Sequence, residues 1–151
     1  MLQSLVGQGY TMVRNISGNV DRVDYLGGAT FATNEYSKNN NGITFGNYIN
    51  MNIRGEIDTD FDTYATTIDP MYMHEYGHTI DSRAFGLSYL FAIGIPSGIS
   101  AWKDKINKTD KHHDFWTEKR ANRRAEKYFR NNYGVNWDYI GNPLFNRYPL
   151  Y

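Results

Sequence analysis

Asp69-Pro70-Met71-Tyr72-Met73-His74-Glu75-Tyr76-Gly77-His78-Thr79-Ile80-Asp81-Ser82-Arg83 is the stretch on which the fold turns. Asp69 is a good helix cap, and Pro70 suits a first helical position, where a missing N–H costs nothing. A helix is therefore predicted from here to a stop at Gly86. Met71, Tyr72 and Ile80 are its apolar anchors. His74 and His78 stand one turn apart on one face, so both imidazoles can reach a single ion. Glu75 follows the first histidine and can lean toward the same place without ligating. Zinc lowers the pKa of a bound water toward about 7, and a neighbouring carboxylate can take its proton. With four His and five Glu in 151 residues, chance produces such an H-E-x-x-H about 0.003 times per chain. Gly77 costs about 1 kcal/mol of helix propensity relative to Ala, so a second segment is expected to pass close to it.

Upstream, residues 1–42 are rich in Gly, Asn, Ser and Thr and read as short strands and turns. Asn39-Asn40-Asn41-Gly42 is a strong turn signal. Ile43, Phe45, Ile49, Met51 and Ile53 then alternate with mostly polar residues, which predicts one half-buried strand over 43–53. Asp58-Thr59-Asp60-Phe61-Asp62 is an acidic loop without the glycine and terminal glutamate of a calcium loop.

Downstream, Leu87 to Trp102 is apolar. It is too short for a comfortable membrane span and predicts a buried helical hairpin broken near Gly94 and Pro96. Lys103 to Lys111 reads as a charged loop. Another helix is expected from Asp114 or Thr117 to Gly134. Trp116, Ala121, Ala125, Tyr128 and Phe129 lie near one face. Arg120, Arg123, Arg124, Lys127 and Arg130 form a solvated basic face. Strands precede helices, which is the pattern of an α+β fold. A single domain over 1–151 is expected: 1–68 mainly strands and turns, 69–134 helical, 135–151 an extended tail.

Composition narrows the chemistry. Sixteen Lys and Arg balance sixteen Asp and Glu. No basic excess is present, so no nucleic-acid partner is expected. There is no Cys. Disulfides, thiolate metal sites and cysteine nucleophiles are excluded, and any metal must be held by His and carboxylates. The start, MLQSLVGQGYTMVRN, has no basic n-region and no sustained apolar stretch, so no signal peptide is expected. The compartment is left open, including secretion or surface display as part of a longer protein. No stable membrane insertion is expected.

A zinc hydrolase site needs a third protein ligand and an open position. Asp81 and Ala84 stand where a metzincin would have Gly and His. Glu118 opens the later helix, and Asn122 lies four residues on, on the same face. That pair offers a carboxylate ligand and an amide to hold a ligand imidazole. Glu126 is the other candidate, although it sits among basic residues suited to i,i+4 pairs.

His74-Glu75-Tyr76-Gly77-His78 followed by Glu118-Lys119-Arg120-Ala121-Asn122 resembles the gluzincin pattern of zinc metallopeptidases, H-E-x-x-H then E-x-x-x-D. Asn122 departs from it, standing where the pattern has Asp. The stretch from about Gly42 to Phe129 is also similar to small bacterial HEYGH domains at the ends of Rhs/YD-repeat proteins. The resemblance implies a small zincin-like domain with Zn2+ held by His74, His78 and Glu118, and Glu75 as general base. The substrate would be a peptide or protein lying along the upstream strand. An oxyanion donor would also be needed. His112, His113, Tyr76 and Tyr128 are the candidates, and His113 is the one expected to be catalytic. If the domain is a toxin, an immunity protein would be its partner. The alternative is a non-enzymatic metal-binding or partner-binding module at the end of a larger bacterial surface or delivery protein.

Overall fold

A computed structural model describes residues 2–107, 112–137 and 143–150. The fold is α+β. Helix α1 (Leu2–Ile16) leads into strands β1 (Arg22–Leu26), β2 (Ala29–Asn34), β3 (Tyr36–Phe45) and β4 (Tyr48–Arg54). A short helix α2 (Phe61–Thr63) runs into a π turn (Tyr64–Ile68), followed by α3 (Met71–Phe85), α4 (Ile95–Asn107) and α5 (Trp116–Tyr133). The sheet is mixed, in the order β1-β2-β4-β3. β2 and β4 are parallel, and the other pairs are antiparallel.

The sheet has two unlike faces because side chains alternate along each strand. Ile49, Met51 and Ile53 of β4 join Phe31 of β2 in the core, packed with Tyr72 and Tyr76 of α3 and Phe129 of α5. Asn50 and Asn52 point to the opposite face. Asn50 accepts the Thr11 hydroxyl at 3.1 Å, and Asn52 accepts the Arg14 guanidinium at 2.6 Å.

Residues 2–16, expected as strand and turn, form α1 instead. Its apolar positions 2, 5, 6, 13 and 16 do fall at helical spacing, but Ser4, Gly7, Gly9, Thr11 and Asn15 within it obscured the pattern. Gly7 is required: a Cβ there would lie 2.4 Å from the Phe45 carbonyl oxygen. The helix lies on the sheet through Gln3, Gly7, Thr11 and Arg14, and leaves Leu5, Val13 and Ile16 exposed.

The single strand expected over 43–53 is a hairpin. Its turn is Gly46-Asn47, where Gly46 has φ 62°. The turn flips the phase, so Ile43 and Phe45 lie opposite Asn50 and Tyr48 and share the face that carries α1. Asn39-Asn40-Asn41-Gly42, expected as a turn, lies inside β3. The ladder there is irregular, with a register shift between Tyr36 and Asn41. Asparagine side chains patch it. Asn40 accepts the Arg54 N–H, and Asn41 accepts the Asn52 amide.

α3 begins and ends where the local chemistry puts it. Asp69 Oδ1 accepts the Met71 N–H at 3.0 Å, and Pro70 already has φ −64°. Gly86 closes the helix with φ 55°. α3 and α5 pack so closely that a Cβ on Gly77 would sit 2.1 Å from the Ala121 carbonyl oxygen. The expected close approach to Gly77 is this crossing. Fully buried Asp81 ties the same two helices by accepting Arg120 Nε at 2.9 Å. Arg124 lies 3.7 Å from that carboxylate, and Arg123 donates to the Leu150 carbonyl. The basic face of α5 is therefore partly a set of clamps and not simply solvated.

The segment expected as a buried hairpin is helical but buried only in part: Tyr89 and Ile93 are buried, and most of its other apolar residues are exposed. A 3-10 turn (Gly86–Ser88) and a π turn (Leu90–Gly94) lead into α4, in which no residue is buried. The charged loop expected from Lys103 is helix as far as Asn107, and 108–111 lie outside the described residues. Trp116 is exposed, so the buried face of α5 is Thr117, Glu118, Ala121, Asn122, Ala125 and Phe129. The tail is not extended over Pro143–Arg147, which form a 3-10 helix. Residues 138–142 lie outside the described residues. Trp137, Phe145 and Tyr148 seal the core, with Trp137 Nε1 donating to the Tyr148 carbonyl. Among the described residues no single helix is long and apolar enough to cross a membrane.

Candidate metal centre

The α3–α5 crossing brings His74, His78 and Glu118 together. All three are buried. One ligand atom from each lies within 4.8 Å of the others. Nε2 of His74 is 3.3 Å from Glu118 Oε2, and Nε2 of His78 is 3.2 Å from the same oxygen. Two donors about 2.1 Å from one ion at a tetrahedral angle stand about 3.4 Å apart. The spacing is that of two edges of such a polyhedron, and the three side chains can hold a metal ion.

The surrounding groups support that fit. His74 Nδ1 is 2.7 Å from Asn122 Oδ1, and Asn122 Nδ2 donates to the Pro149 carbonyl at 2.8 Å. The second bond fixes the amide, so Oδ1 is the atom facing the imidazole and His74 Nδ1 must donate to it. That leaves the Nε2 lone pair for a metal. Glu118 Oε1 accepts hydroxyls from Ser97 of α4 at 2.5 Å and from Thr117 at 3.0 Å. Oε2 is thereby the oxygen presented to the histidines.

Without an ion these groups form a charged pair. Burial works against a charged His78, but hydrogen bonding and charge from Glu118 outweigh it and raise the imidazole pKa to about 9. Burial likewise opposes the Glu118 carboxylate, and bonds from His74 and His78 outweigh it and hold its pKa far below the usual range.

Glu75 lies beside the triad on the wall of a cleft of about 710 Å3, which His74, His78, Glu118, His112 and His113 also line. Thr44 of β3 donates its hydroxyl to Glu75 Oε2 at 2.7 Å and lies 3.1 Å from the Glu75 carbonyl oxygen. Gly42 makes room for the same carboxyl: a Cβ there would stand 2.5 Å from Oε1. Thr44 and Gly42 share the α3 face of the sheet because they pair with Ile49 and Met51. Neither residue was identified from sequence, and the misplaced turn is the reason. The only local signal is a glycine two residues before a threonine in a strand.

The other candidates separate. Glu126 pairs with Arg130 and is not part of the triad. Tyr76 donates to the Gly27 carbonyl at 2.6 Å and stacks on Tyr128, so both are occupied in packing behind the site. His112 Nε2 is 3.8 Å from Glu118 Oε1. His113 lines the cleft with its ring 5.8 Å from that of Tyr148. Tyr148 is a cleft residue that sequence reasoning missed. Its ring lies 5.0 Å from His74, and burial raises its phenol pKa, so it stays a proton donor. Only the return of the tail over α5 puts it there. Comparison of the chain with protein-family models, curated proteins and solved structures gives no match.

Proposed function

We propose that the chain is a zinc-dependent peptidase of gluzincin type. One observation carries the reading. A buried His-His-Glu set, with no fourth protein ligand among the described residues, borders a cleft whose wall holds a carboxylate outside the set. A structural zinc site normally closes with four protein ligands, whereas a catalytic one leaves a position open. His74, His78 and Glu118 would hold the zinc, which when bound supplies a Lewis acid for water and for the scissile carbonyl.

The chain's own groups do the rest. Thr44 occupies Glu75 Oε2, leaving Oε1 to take a proton from the attacking water and pass it to the leaving amine. His113 and Tyr148, on the cleft wall, are the donors available to a developing oxyanion. β3 is an edge strand of the sheet, and Asn40 to Phe45 line the cleft, so an extended peptide can pair with that edge.

The test combines metal analysis with a Glu75→Gln variant. The wild-type protein is expected to hold one zinc per chain and to cleave a peptide mixture. The variant keeps the zinc and loses cleavage by at least about a hundredfold. Folded wild-type protein without stoichiometric metal, or full cleavage by the variant, overturns the reading.

A further inference from the structure

α4 is only loosely packed. None of its thirteen residues is buried, although a helix of this length is marginal in water without packing. Its two faces differ. Ser97, Gly98 and Ala101 look into the cleft, and Ser97 holds Glu118. The outward side, with the turn ahead of it, carries Leu87, Phe91, Ile95, Ile99, Trp102 and Ile106, all exposed. From Phe91 onward these recur at helical spacing, so they form one continuous stripe.

We propose that α4 and the turn before it form an interfacial element that lies on an anionic lipid surface. Charge decides for lipid over a second copy or another protein. Between Trp102 and Ile106, the last two members of the stripe, stand exposed Lys103 and Lys105. Asp104, the only acid between Gly86 and Asn107, is engaged by the His112 N–H. Asp104 is only partly exposed, so the fully exposed charges of α4 are the two lysines, and the helix is positive by one (two Lys less one Asp) against a chain whose net charge is zero. An apolar face with Phe and Trp, flanked by lysines and lying on the surface without spanning, is the pattern of helices that settle at the headgroup boundary.

α1 supplies a second apolar ridge. Gln3 donates to the Gly86 carbonyl, which ties its N-terminal end to the turn that carries Leu87. No acidic residue occurs before Asp21. Lipid docking of α4 is independent of whether the cleft hydrolyses peptides.

The experiment is co-sedimentation with vesicles of phosphatidylglycerol and phosphatidylcholine, and with phosphatidylcholine alone, at low and high salt. The protein is expected to bind the anionic vesicles more tightly, to lose that preference as salt rises, and to show a blue-shifted emission that Trp102→Phe removes. Phe91→Ser with Ile99→Ser should lower binding at least about tenfold. Lys103→Glu with Lys105→Glu leaves the apolar stripe intact and should abolish the anionic preference. Metal content is measured alongside, since none of these residues is a ligand. No vesicle binding, equal binding to both vesicles, or binding unchanged in both double variants overturns the proposal. Self-association lost in Phe91→Ser with Ile99→Ser, without vesicle binding, gives the face to a second copy instead.

Discussion

A single hydroxyl sets the Glu75 carboxyl. Thr44 is buried and reaches both the carboxylate and the main-chain carbonyl of Glu75. Thr44→Val keeps the shape and removes the donor. Glu75 Oε2 then loses its hydroxyl donor, at a cost of about 1–2 kcal/mol. Zinc content should be unchanged while kcat falls about tenfold and KM stays close to wild type, because the Thr44 hydroxyl is engaged by Glu75. A steady-state assay with metal analysis of the same sample checks this. An equal loss in Thr44→Val and Thr44→Ser would show packing, not the hydroxyl, to be what matters.

Between elements, the α3–α5 crossing makes the site. The missing Cβ at Gly77 lets the Ala121 carbonyl come down on α3. Glu118 and Asn122, one turn apart on α5, then meet His78 and His74, one turn apart on α3. Gly77→Ala drives a methyl into backbone that cannot move aside. It should cost about 3 kcal/mol or more, despite the better helix propensity of alanine. Thermal or urea unfolding measures that loss. Zinc affinity should fall with it, because the helices can make room only by separating Glu118 from His74 and His78. A stable variant with full zinc affinity would mean that the crossing tolerates a wider gap. Asp81 and Arg120 oppose such separation, since pulling them apart leaves a buried carboxylate unpaired.

For the whole molecule, the triad couples stability to pH when no metal is bound. The folded pKa of His78 is raised from 6.5 to about 9. The charged pair with Glu118 therefore contributes fully between the unfolded values of 4.5 for the carboxyl and 6.5 for the imidazole, and that contribution is lost as pH rises through 9. Chelated protein is expected to show a Tm that falls between pH 6.5 and 9, on top of any general trend. Zinc-loaded protein lacks that slope, because the imidazole is then held neutral by the metal. Thermal scans of both forms across this range compare them directly, and parallel curves would exclude the pair as the source.

What the sequence by itself determined was local. The cap at Asp69, the stop at Gly86, the one-turn spacing of His74 and His78, and the shared face of Glu118 and Asn122 all follow from 3.6 residues per turn and from end groups that need partners. Those rules act within a few residues, so they were legible. The absence of Cys likewise confined a metal to histidine and carboxylate. Only the tertiary structure decided which carboxylate meets the histidines, 40 or more residues away in the chain, and sent Glu126 to Arg130 instead. It also decided that Gly42 is a seat for Glu75 and not a turn, that Tyr148 closes the cleft, and that α1 and α4 turn apolar residues outward. Each depends on what an element packs against. Hydrophobic periodicity gives the two faces of a helix or strand, but only its neighbours determine which face is covered.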